Sequence, residues 1–243
     1  MVVGIPGSGK SALILWWCKE MNLPTLMFSA DTGPHTTLTR LLATTLDISR
    51  DAIVADLDDD EIGVQMEHEY SVALKDSKIQ FCFDGSLSVK DIDQELNAYV
   101  EIYDAYPEVI VVDNLINVED TRDHEGQSGI LSELHYLTRV TGATVFVLHH
   151  ASEAGGLDPT RAPPRSAVQN KVTHYPELVL SVAVDSETGR FQIAKVKVRN
   201  GKQDPSALRP YELYADLDKT TFHAENPDRY RGWTPSSWAA DND

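Results

Sequence analysis

The residues Gly4-Ile5-Pro6-Gly7-Ser8-Gly9-Lys10-Ser11 fit the pattern G-x-x-x-x-G-K-[ST], and that spacing has one well-understood chemistry. Gly4, Gly7 and Gly9 let successive backbone N–H groups turn inward, and with Pro6 and Ser8 they shape a concave nest for an anion. Lys10 adds a point charge that reaches β- and γ-phosphates, and the Ser11 hydroxyl can hold Mg²⁺. A helix starting here aims the positive end of its dipole at the same phosphates. The expected ligand is therefore a nucleoside triphosphate with Mg²⁺. The flanks agree with the motif. The apolar lead-in Met1-Val2-Val3 reads as a strand, and residues 12–19 read as a mostly buried helix closed by Asn22 and Pro24.

Two acids stand where the sheet of such a protein would end. Asp113 follows the apolar run 109–112, and an acid at the carboxyl edge beside a P-loop holds Mg²⁺ through water. Asp31 follows the apolar run 24–30. A carboxylate there can orient water in line with a γ-phosphate; the plainer reading is an acid in the turn before Gly33-Pro34. Two predicted strands, 25–30 and 79–83, separate the P-loop from Asp113 in the chain. That spacing points to the P-loop class in which an extra strand lies between the P-loop strand and the acid-bearing strand, and in which a second carboxylate polarises water.

Composition limits the partners. The chain of 243 residues carries a formal net charge of −17, so a broad basic face of the kind that coats duplex DNA is excluded. Nucleic-acid contact has to come from a few local groups on loops. Cys18 and Cys82 have no metal-ligand spacing, and a reduced, cytoplasmic protein is the simplest reading. No apolar run is long enough to cross a membrane, and no basic, then apolar, leader opens the chain. Asp56, Asp58, Asp60, Ile62 and Glu67 imitate calcium-loop spacing, but the required sharp turn falls on Glu61 where glycine is needed.

Strand and helix patterns alternate along most of the chain. Residues 37–46 read as a helix with Leu38, Leu41, Leu42 and Thr45 on one face. The acidic stretch 47–77 reads as helical in its second half. Residues 79–83 form a strand, and Ser88 with Asp91 a capping box for a helix carrying Ile92, Leu96, Tyr99, Val100 and Tyr103. Ile130, Leu134 and Leu137 mark a helix ending near Gly142, followed by a strand at 143–148 that leads into His149-His150. A loop at 151–165 and a short helix around 166–172 precede strands near 177–184, 190–198 and 209–215. The pattern predicts an α/β fold with a mostly parallel central sheet flanked by helices and an antiparallel extension at the C-terminal end. One domain over 1–223 with a loose tail at 224–243 is the economical division.

In combination, GIPGSGKSALIL, LMFSADT with the following RLLA, VIVVDN, TVFVLHHAS and AKVKVRNG resemble the RecA-fold ATPase domain of the DnaB- and RepA-type hexameric replicative helicases. The resemblance runs from residue 4 to 201. It implies a ring, in the family a hexamer, that hydrolyses ATP while moving on single-stranded DNA. It implies that Asp31 is the catalytic base, where the family usually has Glu, and that His150, with His149 beside it, senses the γ-phosphate. It implies that Lys197 and Arg199 enter a neighbouring subunit's nucleotide site. Stretches 115–128 and 151–170 correspond to the DNA loops, with Arg161, Arg165 and the nearby Lys171 as phosphate contacts. Glu119, Asp120, Asp123 and Glu125 argue against strong backbone contact by the first loop. No N-terminal helical domain or linker helix precedes the P-loop strand, which fits a minimal phage- or plasmid-type helicase or a fragment. A RecA- or KaiC-like oligomeric ATPase, and a slow nucleotide-dependent switch that binds a protein partner, stay open. A small-molecule kinase would need an Arg-rich lid.

Overall fold

The computed structural model describes residues 1–152 and 156–226. Strands whose sequences are mostly apolar, rather than alternating, lie inside its sheet, because they are covered on both faces. These are β1 (Val2–Gly4), β2 (Thr25–Ser29) and β4 (Val109–Asp113), buried at every position. With β3 (Ile79–Cys82), β5 (Thr144–His150), β6 (Leu178–Val184), β7 (Arg190–Val198), β8 (Tyr211–Asp216) and β9 (Thr221–His223) they form one sheet in the order β3-β2-β4-β5-β1-β6-β7-β8-β9. Pairing is parallel from β3 to β6 and antiparallel from β6 to β9.

Successive strand residues face opposite sides, and the two cores divide accordingly. Helix α1 (Lys10–Met21) buries Leu13, Ile14 and Cys18 against Val2, Met27 and Val111 on one face. Helices α5 (Val89–Tyr103) and α6 (His124–Thr141) bury Ile92, Leu96, Leu131 and Leu134 against Val3, Phe28 and Val112 on the other. The expected capping box starts α5: Ser88 N–H donates to Asp91 Oδ2 at 2.8 Å and Asp91 N–H to Ser88 Oγ at 3.2 Å. Gly142 closes α6 in the left-handed conformation.

The extra strand expected between the P-loop strand β1 and the acid-bearing strand β4 is present; it is β5, while β2 and β3 lie beyond β4. Other expectations change. Helix α2 (Pro34–Leu46) buries Thr37, Leu41 and Thr44, while Leu38 is 37% exposed. The buried stripe is set by α1 and by a second helical layer and not by hydrophobicity alone. That layer is α3 (Arg50–Asp58) and α4 (Gly63–Leu74), two helices where the sequence suggested one. Ile53 and Tyr70 seat them on Leu42 and Ala43, and the Tyr70 hydroxyl donates to Asp56. The helix expected around 166–172 is two 3-10 turns, Arg165–Ala167 and Gln169–Lys171, because Asn170 and Lys171 both adopt φ 54°. β9 is too short to show alternation in sequence; Phe222 holds it in place by packing on Trp16 and Phe191. Of the tail expected at 224–243, only 224–226 lie within the described residues.

Candidate nucleotide site

The P-loop leaves β1 and turns into α1 at the carboxyl edge of the parallel strands. Only glycine fits at Gly4, where a Cβ would stand 2.3 Å from Ser8 Oγ and 2.7 Å from the Val182 carbonyl. Gly9 has φ 80°, and a Cβ there would meet the Phe191 ring at 2.9 Å. The loop is thus pressed against β6 and β7 and held open toward the other side, where a cleft of about 230 Å³ lies.

Lys10 is buried at the floor of this cleft. Its amine donates to the carbonyls of Gly4 at 3.1 Å and Ile5 at 2.9 Å, so it is parked on its own loop. Burial lowers its pKa to about 8, with Asp113 and Asp31 opposing the shift. Asp113, at the end of β4, is buried and receives a hydrogen bond from Ser11. Burial pushes its carboxyl up to about 6; Ser11 counters this, Asp31 reinforces it, and Lys10 and Arg40 also counter it. Asp113 Oδ2 has no hydrogen-bond partner among the described residues. A buried carboxylate oxygen left unpaired beside a serine hydroxyl and an anion nest suits a hydrated divalent cation carried by a triphosphate. Ser11 and Asp113 are the residues that would hold it.

Asp31 lies at the exposed rim of the cleft. The N–H groups of Ala30 and Asp31 donate to the Asp113 carbonyl at 2.9 and 3.3 Å, which fixes the ends of β2 and β4 together. His150 lines the cleft from β5. His149 does not: its ring is fully buried on the opposite face, with Nε2–H donating to the Gln169 carbonyl at 3.0 Å. Burial lowers its pKa to about 4, so at neutral pH it is uncharged.

Two cleft residues escaped the sequence reading. Asn114, joined to Asp113 by a cis peptide bond, is buried; its Oδ1 accepts from Ile116 N–H at 3.0 Å, which leaves Nδ2 to donate to His150 Nε2 at 2.9 Å. Arg40 enters from α2, with its pKa lowered by burial and by Arg50 while Asp113 opposes. Arg40 stands one turn beyond Thr37, whose hydroxyl lies 3.4 Å from that of Ser29 at the end of β2.

Lys197 and Arg199 are not brought to this cleft. β7 runs from Arg190 beside the P-loop edge toward the opposite edge. Lys197 pairs with Val179, while Val3 pairs with Ser181, so Lys197 sits roughly 10 Å behind Gly4 along the strand direction. Its amine donates to the carbonyls of His174 at 2.9 Å and Pro176 at 2.7 Å. Arg199 pairs with Glu177 at 2.5 Å. Arg165 lies near Lys197, and its Nε–H donates to Thr173 Oγ1 at 3.1 Å. Arg161 and Lys171 are exposed. The two loops meet around a second cavity of about 750 Å³, lined by Glu119, Arg122 and Gln127 from the first and Gln169 from the second.

No protein-family model matches the chain. It is 30% identical over 214 residues to the Gene 65 protein of Mycobacterium phage D29, covering 85% of this chain and 90% of that protein. The Gene 65 protein of Mycobacterium phage L5 is likewise 30% identical over 214 residues, 78% of its length. Among solved structures, a DnaB-like replicative helicase superposes with a TM-score of 0.77 at 16% identity over 91% of this chain. This chain spans about half, 56%, of that helicase's length. A second solved structure, that of an isolated ATPase domain, gives a TM-score of 0.77 at 16% identity, covering 93% of this chain and 84% of that one. With the parallel sheet, its antiparallel extension and the P-loop edge all accounted for, the chain belongs to the family of the mycobacteriophage Gene 65 proteins and has the RecA-like fold of DnaB-type helicase ATPase domains.

Proposed function

We propose that this chain is the ATPase subunit of a ring motor that moves on single-stranded DNA. The observation that carries the reading is the separation of the cleft from Lys197 and Arg199. The cleft has a P-loop, a buried acid and a polar strand end, but its own basic pair lies on the far edge of the sheet. A second copy could supply that pair, which makes each site complete only between subunits. The DnaB-like fold supports the same arrangement.

In this reading the P-loop N–H groups and Lys10 hold the triphosphate, Lys10 releasing the Gly4 and Ile5 carbonyls to do so. Mg²⁺, when bound, neutralises charge on the β- and γ-phosphates. Asp31 orients water from the rim and accepts its proton. Arg40 adds a cation on the same side. Asn114 presents His150 with its Nε2 occupied as an acceptor, so the ring proton is on Nδ1. Arg199 of a neighbour stabilises charge that develops during transfer, and Lys197 accompanies it. Arg161, Arg165 and Lys171 track DNA phosphates.

A slow nucleotide-dependent switch is the second reading, favoured by Asp31. That carboxylate is one methylene shorter than Glu and lies exposed at the rim. ATPase measured with and without single-stranded DNA, beside mass measured with and without ATP, separates the two. The motor requires DNA-stimulated turnover and a nucleotide-dependent oligomer; a monomer whose ATPase ignores DNA is the switch.

A further inference from the structure

The end of β5 carries two histidines with different neighbours. His150 faces the nucleotide cleft and meets Asn114. His149, the preceding residue, faces the other side of the sheet, as strand alternation requires. There it is fully buried, and its Nε2–H reaches the Gln169 carbonyl. Nδ1 of His149 has no hydrogen-bond partner among the described residues, so the ring's one polar link there is to Gln169.

Gln169 opens the turn Gln169–Lys171, in which Asn170 and Lys171 both hold φ 54°. Two consecutive non-glycine residues in the left-handed region need to be held there by their surroundings. The preceding residues are laid along the extension of β5: Ala151 bridges Val168, and Ser152 N–H donates to the Ala167 carbonyl at 2.7 Å. Ala151 N–H in turn donates to the Gly4 carbonyl at 3.1 Å, the first residue of the P-loop. One strand end therefore touches the P-loop, the cleft and the 165–171 segment, and that segment carries Arg165 and Lys171.

We propose that His149 is a positioning residue that ties the 165–171 segment to β5, so that a change at the nucleotide cleft moves this basic segment through the His149–Gln169 hydrogen bond. The proposal rests on the reading of the P-loop cleft as a nucleotide site. The neutral state imposed by burial suits it, because a single Nε2–H tautomer gives the bond one fixed direction. In the opposite direction, a phosphate chain drawn across Arg165 and Lys171 would pull on the strand that carries His150.

The test uses the full chain, a non-hydrolysable ATP analogue with Mg²⁺, and amide hydrogen exchange of residues 165–171. Nucleotide binding is first measured separately with a fluorescent analogue. In wild type, the analogue should change exchange in this segment about tenfold, the scale of one hydrogen bond. His149→Gln places an amide N–H where Nε2 stood and should keep the response. His149→Asn, whose amide ends short of Gln169, and His149→Phe, which fills the space without a donor, should bind the analogue as wild type does yet lose the response. A lost response in His149→Asn or His149→Phe counts only for variants that melt cooperatively, and His149→Gln against His149→Asn decides if His149→Phe does not fold. Absence of analogue binding to wild type would sink the nucleotide-site reading and this coupling with it. Binding with no change at 165–171, or an equal change in all three variants, would overturn the coupling alone.

Discussion

Asn114 Nδ2 donates to His150 Nε2 at 2.9 Å, joining the residue after the buried acid of β4 to the last residue of β5. The same asparagine accepts from Ile116 N–H, so both ends of its amide are committed and its orientation is fixed. A residue that orients another has a recognisable kinetic signature. Asn114→Ala should leave ATP affinity within about twofold and lower kcat by about tenfold or more, because a freed imidazole samples other rotamers and tautomers. Asn114→Asp offers an acceptor to His150 in place of a donor and should shift the ring proton to Nε2. A ¹⁵N spectrum of the histidine would show it, and an unchanged tautomer would end the argument.

The pH dependence of stability should separate two buried groups that oppose each other. Asp113 has its pKa raised to about 6, so in the native state it holds a proton that the unfolded chain has released. Its burial penalty is absent below about pH 4 and complete above about pH 6, and stability from this group falls as pH rises. His149 has its pKa lowered to about 4, so the unfolded chain binds the proton first. Stability from this group is complete above about pH 6.5 and is lost as pH falls toward 4. Each is worth about 3 kcal/mol by linkage, and the two nearly cancel. Asp113→Asn should raise Tm at pH 7.5 and steepen the loss of stability on acidification. His149→Gln should flatten it. Thermal melts at pH 4.5, 6 and 7.5 measure both, and parallel curves for the two variants would refute the assignment.

What was legible beforehand was what local chemistry writes into adjacent residues. The glycine spacing of the P-loop, the capping box at Ser88 and Asp91, and an acid closing an apolar strand at Asp113 each need only a few neighbouring positions. Asn114 and Arg40 were not legible as cleft residues, because their roles come from which strands and helices end side by side. Nothing in 109–114 says that β5 will lie beside β4. His149 and His150 were distinguishable in principle, since alternation alone sends them to opposite faces, but which face holds the cleft depends on the sheet order. Leu38 misled for a related reason: the α1 side of α2 takes Leu41 and the α3–α4 layer takes Leu42 and Ala43, which leaves Leu38 toward solvent.

Arg40 offers a test of how much of the cleft's positive charge lies outside the P-loop. It lies within electrostatic reach of Asp113, and α2 holds it at the cleft wall. Arg40→Ala should lower kcat by about a hundredfold, with less effect on binding of ADP than of ATP. Arg40→Lys should recover only part of this, since an ammonium lacks the planar fork of a guanidinium. Equal losses for ADP and ATP would assign Arg40 to the α- or β-phosphate end.

Arg199 decides whether the cleft is shared. In the single chain its guanidinium is taken by Glu177, and its backbone N–H donates to the Glu177 carbonyl at 2.9 Å. Both groups of the ion pair are about half exposed, so the pair costs little to break. Arg199→Ala should therefore leave folding and ATP binding intact while lowering turnover by about a thousandfold, the scale of an arginine finger. The sharper measurement mixes subunits. In the proposed ring, Arg199→Ala and Lys10→Ala would each inactivate a different half of a shared site, so a mixture should regain activity at those interfaces where an intact P-loop meets an intact arginine. Recovery should follow the binomial fraction of such pairs as the mixing ratio is varied. Activity that merely tracks the amount of wild-type chain in parallel dilutions, with no recovery in the double mixture, would place Arg199 outside the nucleotide site and leave each cleft to work alone.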